Sequence, residues 1–240
     1  MKIVKIILYY IESIRNFFFL KLLNKPILKQ EILLKKALIE EGIDLSTVKI
    51  LCYHDIGVSK VNGINFGIKY PKSIFNKVSN LITKKKKYDF YFNGNTNDSG
   101  NRKILLKPFK NLEKSLIISS NDGRKLKNKG KFNLDYFINF AQSKYGLCPH
   151  QMDWVSSFDN MWTYRFIESC FAGAIPVLFK ETPLGKKFID KFFFEWNDEI
   201  LKNKPFNYNE EMAIKNQELS KSIFCFTDEE IKSIKSLIIK

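Results

Sequence analysis

Arg165 and Glu168 stand three residues apart in the run Trp162-Thr-Tyr-Arg-Phe-Ile-Glu-Ser-Cys-Phe-Ala-Gly173, and at helical spacing such a pair shares one face. An arginine near a helix start adds a planar, forked donor set to amide groups that already point out of the helix end, which suits phosphate oxygens. A carboxylate one turn on can accept from two ribose hydroxyls. The other reading of the same spacing is a surface ion pair worth about 0.2 to 0.5 kcal/mol. Arginine is scarce in this chain: of 40 Lys+Arg only Arg15, Arg102, Arg124 and Arg165 are arginine. Three of these, Arg102, Arg124 and Arg165, follow short apolar runs that read as strands, so they converge on one sheet edge, where bidentate donors suit a pyrophosphate.

The elements that must hold these residues are legible in the pattern. From Tyr88 onward, short apolar runs alternate with helical stretches: YDFYFNG and a helix near 102 to 114, SLIISS and a helix near 133 to 143. YGLCPH and a helix near 161 to 172 follow, then AIPVLF and a helix near 183 to 191. Strands alternating with helices imply right-handed crossovers and a parallel sheet covered on both faces. In such a sheet the ligand loops lie beyond the carboxyl ends of the strands. Gly173 is expected to end its helix in a left-handed cap. Helices over Tyr208 to Lys221 and Asp228 to Ile239 are expected to close the chain.

Residues 1–87 read differently, and a domain boundary is expected at residue 87, with 88–240 as the Rossmann-like part. Met1 to Leu23 has polar positions at helical steps, but Glu12 and Arg15 break its apolar face, so it suits packing or an anionic membrane surface better than a bilayer span. A helix over Ile27 to Glu41 should close at Gly42. A strand over Val48 to Tyr53 leads into His54-Asp55, and a helix over Pro71 to Lys87 completes a mainly helical N-terminal part.

The quoted runs YGLCPH, WTYRFIESCFAGAIPVLF and TPLGKKFIDKF resemble the exostosin-like glycosyltransferases, and the likeness extends back to YDFYFNGN and Arg102, covering about residues 88 to 196. The resemblance implies the donor-binding half of a GT-B fold with a reduced N-terminal part. It implies a nucleotide diphosphate sugar as donor and a glycan as acceptor, with Glu168 on the donor ribose, Arg165 on the phosphates and the Asn93-Gly94 turn close to the diphosphate. Transfer with inversion also needs a base for the acceptor hydroxyl. His54 and Asp55 are the candidates, against an ordinary half-buried imidazole and a loop cap. His150, beside Pro149 at a strand end, is a candidate contact to phosphate or sugar. The family's acceptor half is larger than 87 residues, so the alternative is a non-catalytic remnant that binds a nucleotide sugar or glycan.

Composition narrows the partners. No D-x-D occurs, so no metal or other cofactor is expected, and basic loops with helix N-termini would offset the diphosphate charge. Four cysteines without a C-x-x-C pair and two histidines exclude a recognisable zinc framework and point to a reducing, cytoplasmic setting. Of the net charge of +15, a surplus of 11 lies in residues 1–87. That surplus suits a peripheral site at an anionic membrane, or reflects biased codon usage alone. With no RNA-binding motif and few arginines, nucleic acid is not an expected partner.

Overall fold

The computed structural model describes residues 28–52, 58–96, 102–120, 130–149, 163–179 and 191–238. Its first elements are helix α1 (Lys29–Glu40), strands β1 (Ile50–Cys52), β2 (Ser59–Val61) and β3 (Ile64–Asn65), and helix α2 (Lys72–Ser79). A β/α series follows: β4 (Tyr88–Gly94), α3 (Arg102–Lys110), β5 (Ser115–Ser119), α4 (Leu134–Ala141), β6 (Ser143–Leu147), α5 (Tyr164–Phe171) and β7 (Ile175–Leu178). Strand β8 (Glu195–Trp196) and helices α6 (Asn197–Ile200), α7 (Glu210–Phe224) and α8 (Asp228–Ile238) complete the described chain.

The chain is an α/β protein built on a five-stranded parallel sheet of order β5-β4-β6-β7-β8. Alternation along the strands explains its two covered faces. Phe90 and Phe92 of β4 pack with Leu106 and Phe109 of α3 on one side. Tyr91, between them, packs with Phe137 and Phe140 of α4 and with Phe166 of α5 on the other. Gly146 of β6 faces α5 so closely that a Cβ there would stand 2.6 Å from the Ser169 Cβ and 2.7 Å from Phe140. This close approach seats α5 directly on the sheet and fixes where Arg165 emerges.

The N-terminal part differs in detail from the sequence reading. Besides α1 and α2, its described residues hold an antiparallel sheet of β1, β2 and β3, with Asn62 (φ 49°) and Gly63 (φ 87°) turning β2 into β3. The Asn-Gly pair is a hairpin signal that the sequence carried and that apolar runs alone concealed. Helix α2 stops at Ser79 rather than reaching Lys87. Lys86 instead donates to the carbonyls of Ala141 and Gly173 at the ends of α4 and α5. The core also runs across residue 87, since Leu33, Ile68, Tyr70, Phe75 and Val78 share one cluster with Tyr91, Phe166 and Phe171.

The ends of α1 and α5 agree with the sequence reading. Gly42 (φ 73°) follows α1 and Gly173 (φ 64°) follows α5, each in the left-handed region that a side chain disfavours. Lys69, only 2% exposed, donates to the carbonyls of Ile223 and Cys225 and to Glu230, tying α7 and α8 to the N-terminal part. Among the described residues, no helix is long and apolar enough to cross a membrane.

All four cysteines are free, with Cys148, Cys170 and Cys225 buried and Cys52 half-buried. Burial pushes the Cys148 and Cys225 thiols up to about 12 and that of Cys170 well above its ordinary value. A folded pKa above the unfolded one gives stability that is complete below the unfolded thiol value of 9.0 and is lost as pH rises toward the folded value. Lys86 acts the other way: burial lowers its amine to about 8, so raising the pH from there toward 10.5 favours the folded chain. Burial also pushes the Cys52 thiol up to about 11 and lowers the Lys69 amine, so four thiols stand against two amines, each group contributing about 1.4 kcal/mol per pH unit. Urea midpoints should therefore hold near neutrality and fall steeply above pH 9. Midpoints unchanged to pH 10.5 would contradict this account of the buried thiols.

Candidate functional site

The chain leaves β4 outward to β5 and returns to β6 on the opposite side of β4, so connections diverge above the carboxyl ends of β4 and β6. Open α/β sheets form their ligand crevice at such a point. Arg165 reaches it from the first turn of α5, whose N-cap Thr163 accepts from the Arg165 amide. Its Nε donates to the Asn93 carbonyl at 3.0 Å, and its guanidinium lies 4.6 Å from the centre of the Phe92 ring. A Cβ on Gly94 would stand 1.8 Å from Arg165 Nη2, so glycine at this position lets the guanidinium lie on the strand end. Among the described residues no carboxylate pairs with Arg165.

Arg102 lies at the same edge but is 5% exposed. Its Nε donates to the Pro149 carbonyl at 3.2 Å and its Nη1 to the Asn95 carbonyl at 3.1 Å, joining the ends of β6 and β4. Arg102 therefore shapes the crevice rim through backbone contacts. Thr96 and Ser119, whose hydroxyls are 2.6 Å apart, join the ends of β4 and β5 in the same way.

Glu168 does not form an exposed pair with Arg165, which corrects the surface ion-pair reading. It is 3% exposed and belongs to a buried cluster. Its Oε1 accepts from Lys29 Nζ of α1 and from Tyr70 Oη at 3.1 Å, and its Oε2 accepts from Tyr136 Oη of α4 at 2.6 Å. The charges of Arg165 and Glu168 nevertheless act on the same groups, Tyr91, Tyr136 and Cys148. Burial, with the Glu168 charge second, holds the Tyr70 and Tyr136 phenols well above their ordinary range, so both remain donors to the carboxylate.

The structure thus brings Asn93, Gly94, Arg102, Arg165 and Glu168 to one end of the sheet. His54, Asp55, Arg124 and His150, like Arg15 and Met1 to Leu23, lie outside the described residues. Sequence reasoning missed Lys29, Tyr70 and Tyr136, which stand 139, 98 and 32 residues from Glu168. No local spacing marks them. Among the described residues no group of three or more His, Cys, Asp or Glu side chains could hold a metal ion. The arrangement can bind an anion at Arg165 and, one helical turn deeper, a hydroxyl donor at Glu168. No family model matches the chain, and no curated protein matches it.

Proposed function

We infer that the chain is the donor-binding part of a GT-B-type glycosyltransferase, which moves a sugar from a nucleotide diphosphate sugar to a glycan acceptor without a metal ion. One observation carries this reading: an arginine with no carboxylate partner among the described residues lies across a glycine at the point where the connections diverge. There the guanidinium and the first amides of α5 meet a diphosphate from one side, while Glu168 of the same helix is placed for the ribose. The parallel sheet with helices on both faces is compatible with the fold that the exostosin-like resemblance implies. The acceptor-side base remains assigned to His54 or Asp55, and an anionic membrane surface to the N-terminal segment.

The second reading is a non-catalytic module that binds a nucleotide sugar or glycan without turnover. Both oxygens of Glu168 are already hydrogen-bonded within the chain, so in either reading a ribose displaces one of these donors. Sugar transfer, or donor hydrolysis without acceptor, separates the two readings, since only the enzyme releases nucleotide.

Titration with UDP, GDP, ADP and CDP tests the site itself. One of them should bind, and Arg165→Lys should weaken it about tenfold, because a point charge cannot reproduce the fork. Chelator should leave binding and turnover unchanged. Equal affinity in the folded Arg165→Lys variant would move the site elsewhere, and activity restored only by manganese or magnesium would end the metal-independent assignment.

A further inference from the structure

The carboxylate that a ribose would need is held from the N-terminal side. Lys29 opens α1, its ammonium bonds Glu168 Oε1, and it sits 4.6 Å from the centre of the Tyr164 ring. The three donors on Glu168 differ in freedom. Tyr70 is 1% exposed, with its ring against Phe171 in the core, and Tyr136 packs against Phe137 and Phe140. The Lys29 side chain is 32% exposed. Its flexible stem can therefore carry the ammonium into water while the phenols stay fixed. The next residue holds the helix in place: Gln30, 2% exposed, donates to the Val58 carbonyl and to Ser59 Oγ.

A second observation marks the same place as a ligand site. The Tyr91 hydroxyl is buried on the face of β4 that α4 and α5 cover, with its ring 6.1 Å from that of Tyr136. Among the described residues no group meets it with good hydrogen-bond geometry, and the Asn93 and Asn139 side chains are the polar groups that act on it from nearby. A buried hydroxyl without a well-formed hydrogen bond destabilises the fold, and a polar ligand beside it relieves that cost.

We propose that Lys29 gates the nucleotide site: its ammonium occupies the Glu168 oxygen that a ribose hydroxyl takes, and binding releases the Lys29 side chain to solvent without undocking α1. The gate rests on the donor-site reading above. It makes affinity the difference between the ribose bond and the lysine bond at one oxygen, so removing the lysine raises affinity.

The test uses the full chain and amine-labelling rates read by mass spectrometry, with exposed Lys232 as internal reference. The nucleoside diphosphate that binds should speed labelling of Lys29 several-fold. Its dideoxy counterpart, lacking both ribose hydroxyls, should bind more weakly and leave the rate unchanged. Lys29→Met should bind the same nucleotide at least tenfold tighter. Should that variant not fold, labelling of the wild type decides alone. Binding with no change in Lys29 labelling, or equal acceleration by the dideoxy compound, overturns the gate and leaves the donor site standing. No binding of any of UDP, GDP, ADP and CDP, by wild type or variant, overturns the donor-site reading and the gate with it.

Discussion

Glu168→Ala lowers the stability of the folded chain by about 3 to 5 kcal/mol, the range for removing one partner from a buried charged network. The carboxylate is 3% exposed and joins four parts of the fold: α1 through Lys29, the segment before α2 through Tyr70, α4 through Tyr136, and α5 on which it sits. Its loss leaves two buried phenols without acceptors, whereas Lys29 can turn to water. Since domains of this kind are stable by about 5 to 15 kcal/mol, the loss is a large fraction of the total. Glu168→Gln keeps one acceptor oxygen and should cost less, about 1 to 2 kcal/mol. Urea denaturation read by far-ultraviolet circular dichroism gives both values. A Glu168→Ala midpoint equal to wild type would show that the cluster contributes nothing to folding.

Gly94→Ala should have a different profile, with a smaller loss of stability than Glu168→Ala and a loss of nucleoside diphosphate affinity of about ten- to a hundredfold, or about 1.4 to 2.7 kcal/mol. The added methyl would sit 1.8 Å from Arg165 Nη2, the far end of a flexible side chain. The guanidinium can swing away, but in doing so it leaves the Asn93 carbonyl and the Phe92 ring. The cost to folding is then one hydrogen bond and one half-buried cation–π contact, about 1 to 2 kcal/mol. Isothermal titration beside a melting curve separates the two effects. A stable Gly94→Ala protein that binds as tightly as wild type would show that the position of Arg165 on the strand end is not what holds phosphate.

Both substitutions fall on residues that the sequence singled out, yet their effects divide in a way the sequence did not indicate. Spacing placed Arg165 and Glu168 on one helix face and left a ligand site and a surface ion pair as its two readings. In the folded chain Arg165 lies over the strand end while Glu168 is enclosed by Lys29, Tyr70 and Tyr136. Helical periodicity reports which residues lie together along one element. It carries no information on what other elements lay over that face.

What the sequence determined by itself is local. Period-two alternation in Tyr88 to Gly94 set which of Phe90, Tyr91 and Phe92 faces which side, Gly42 and Gly173 ended their helices, and the repeated β/α order required parallel crossovers. Each follows from backbone sterics or side-chain direction within a few residues. The tertiary structure alone decided the rest: the order β5-β4-β6-β7-β8, the stapling of two strand ends by buried Arg102, and the seating of Lys29 on Glu168. These depend on contacts across tens to more than a hundred residues, where chain entropy leaves no local trace and only the packed core selects the pairing.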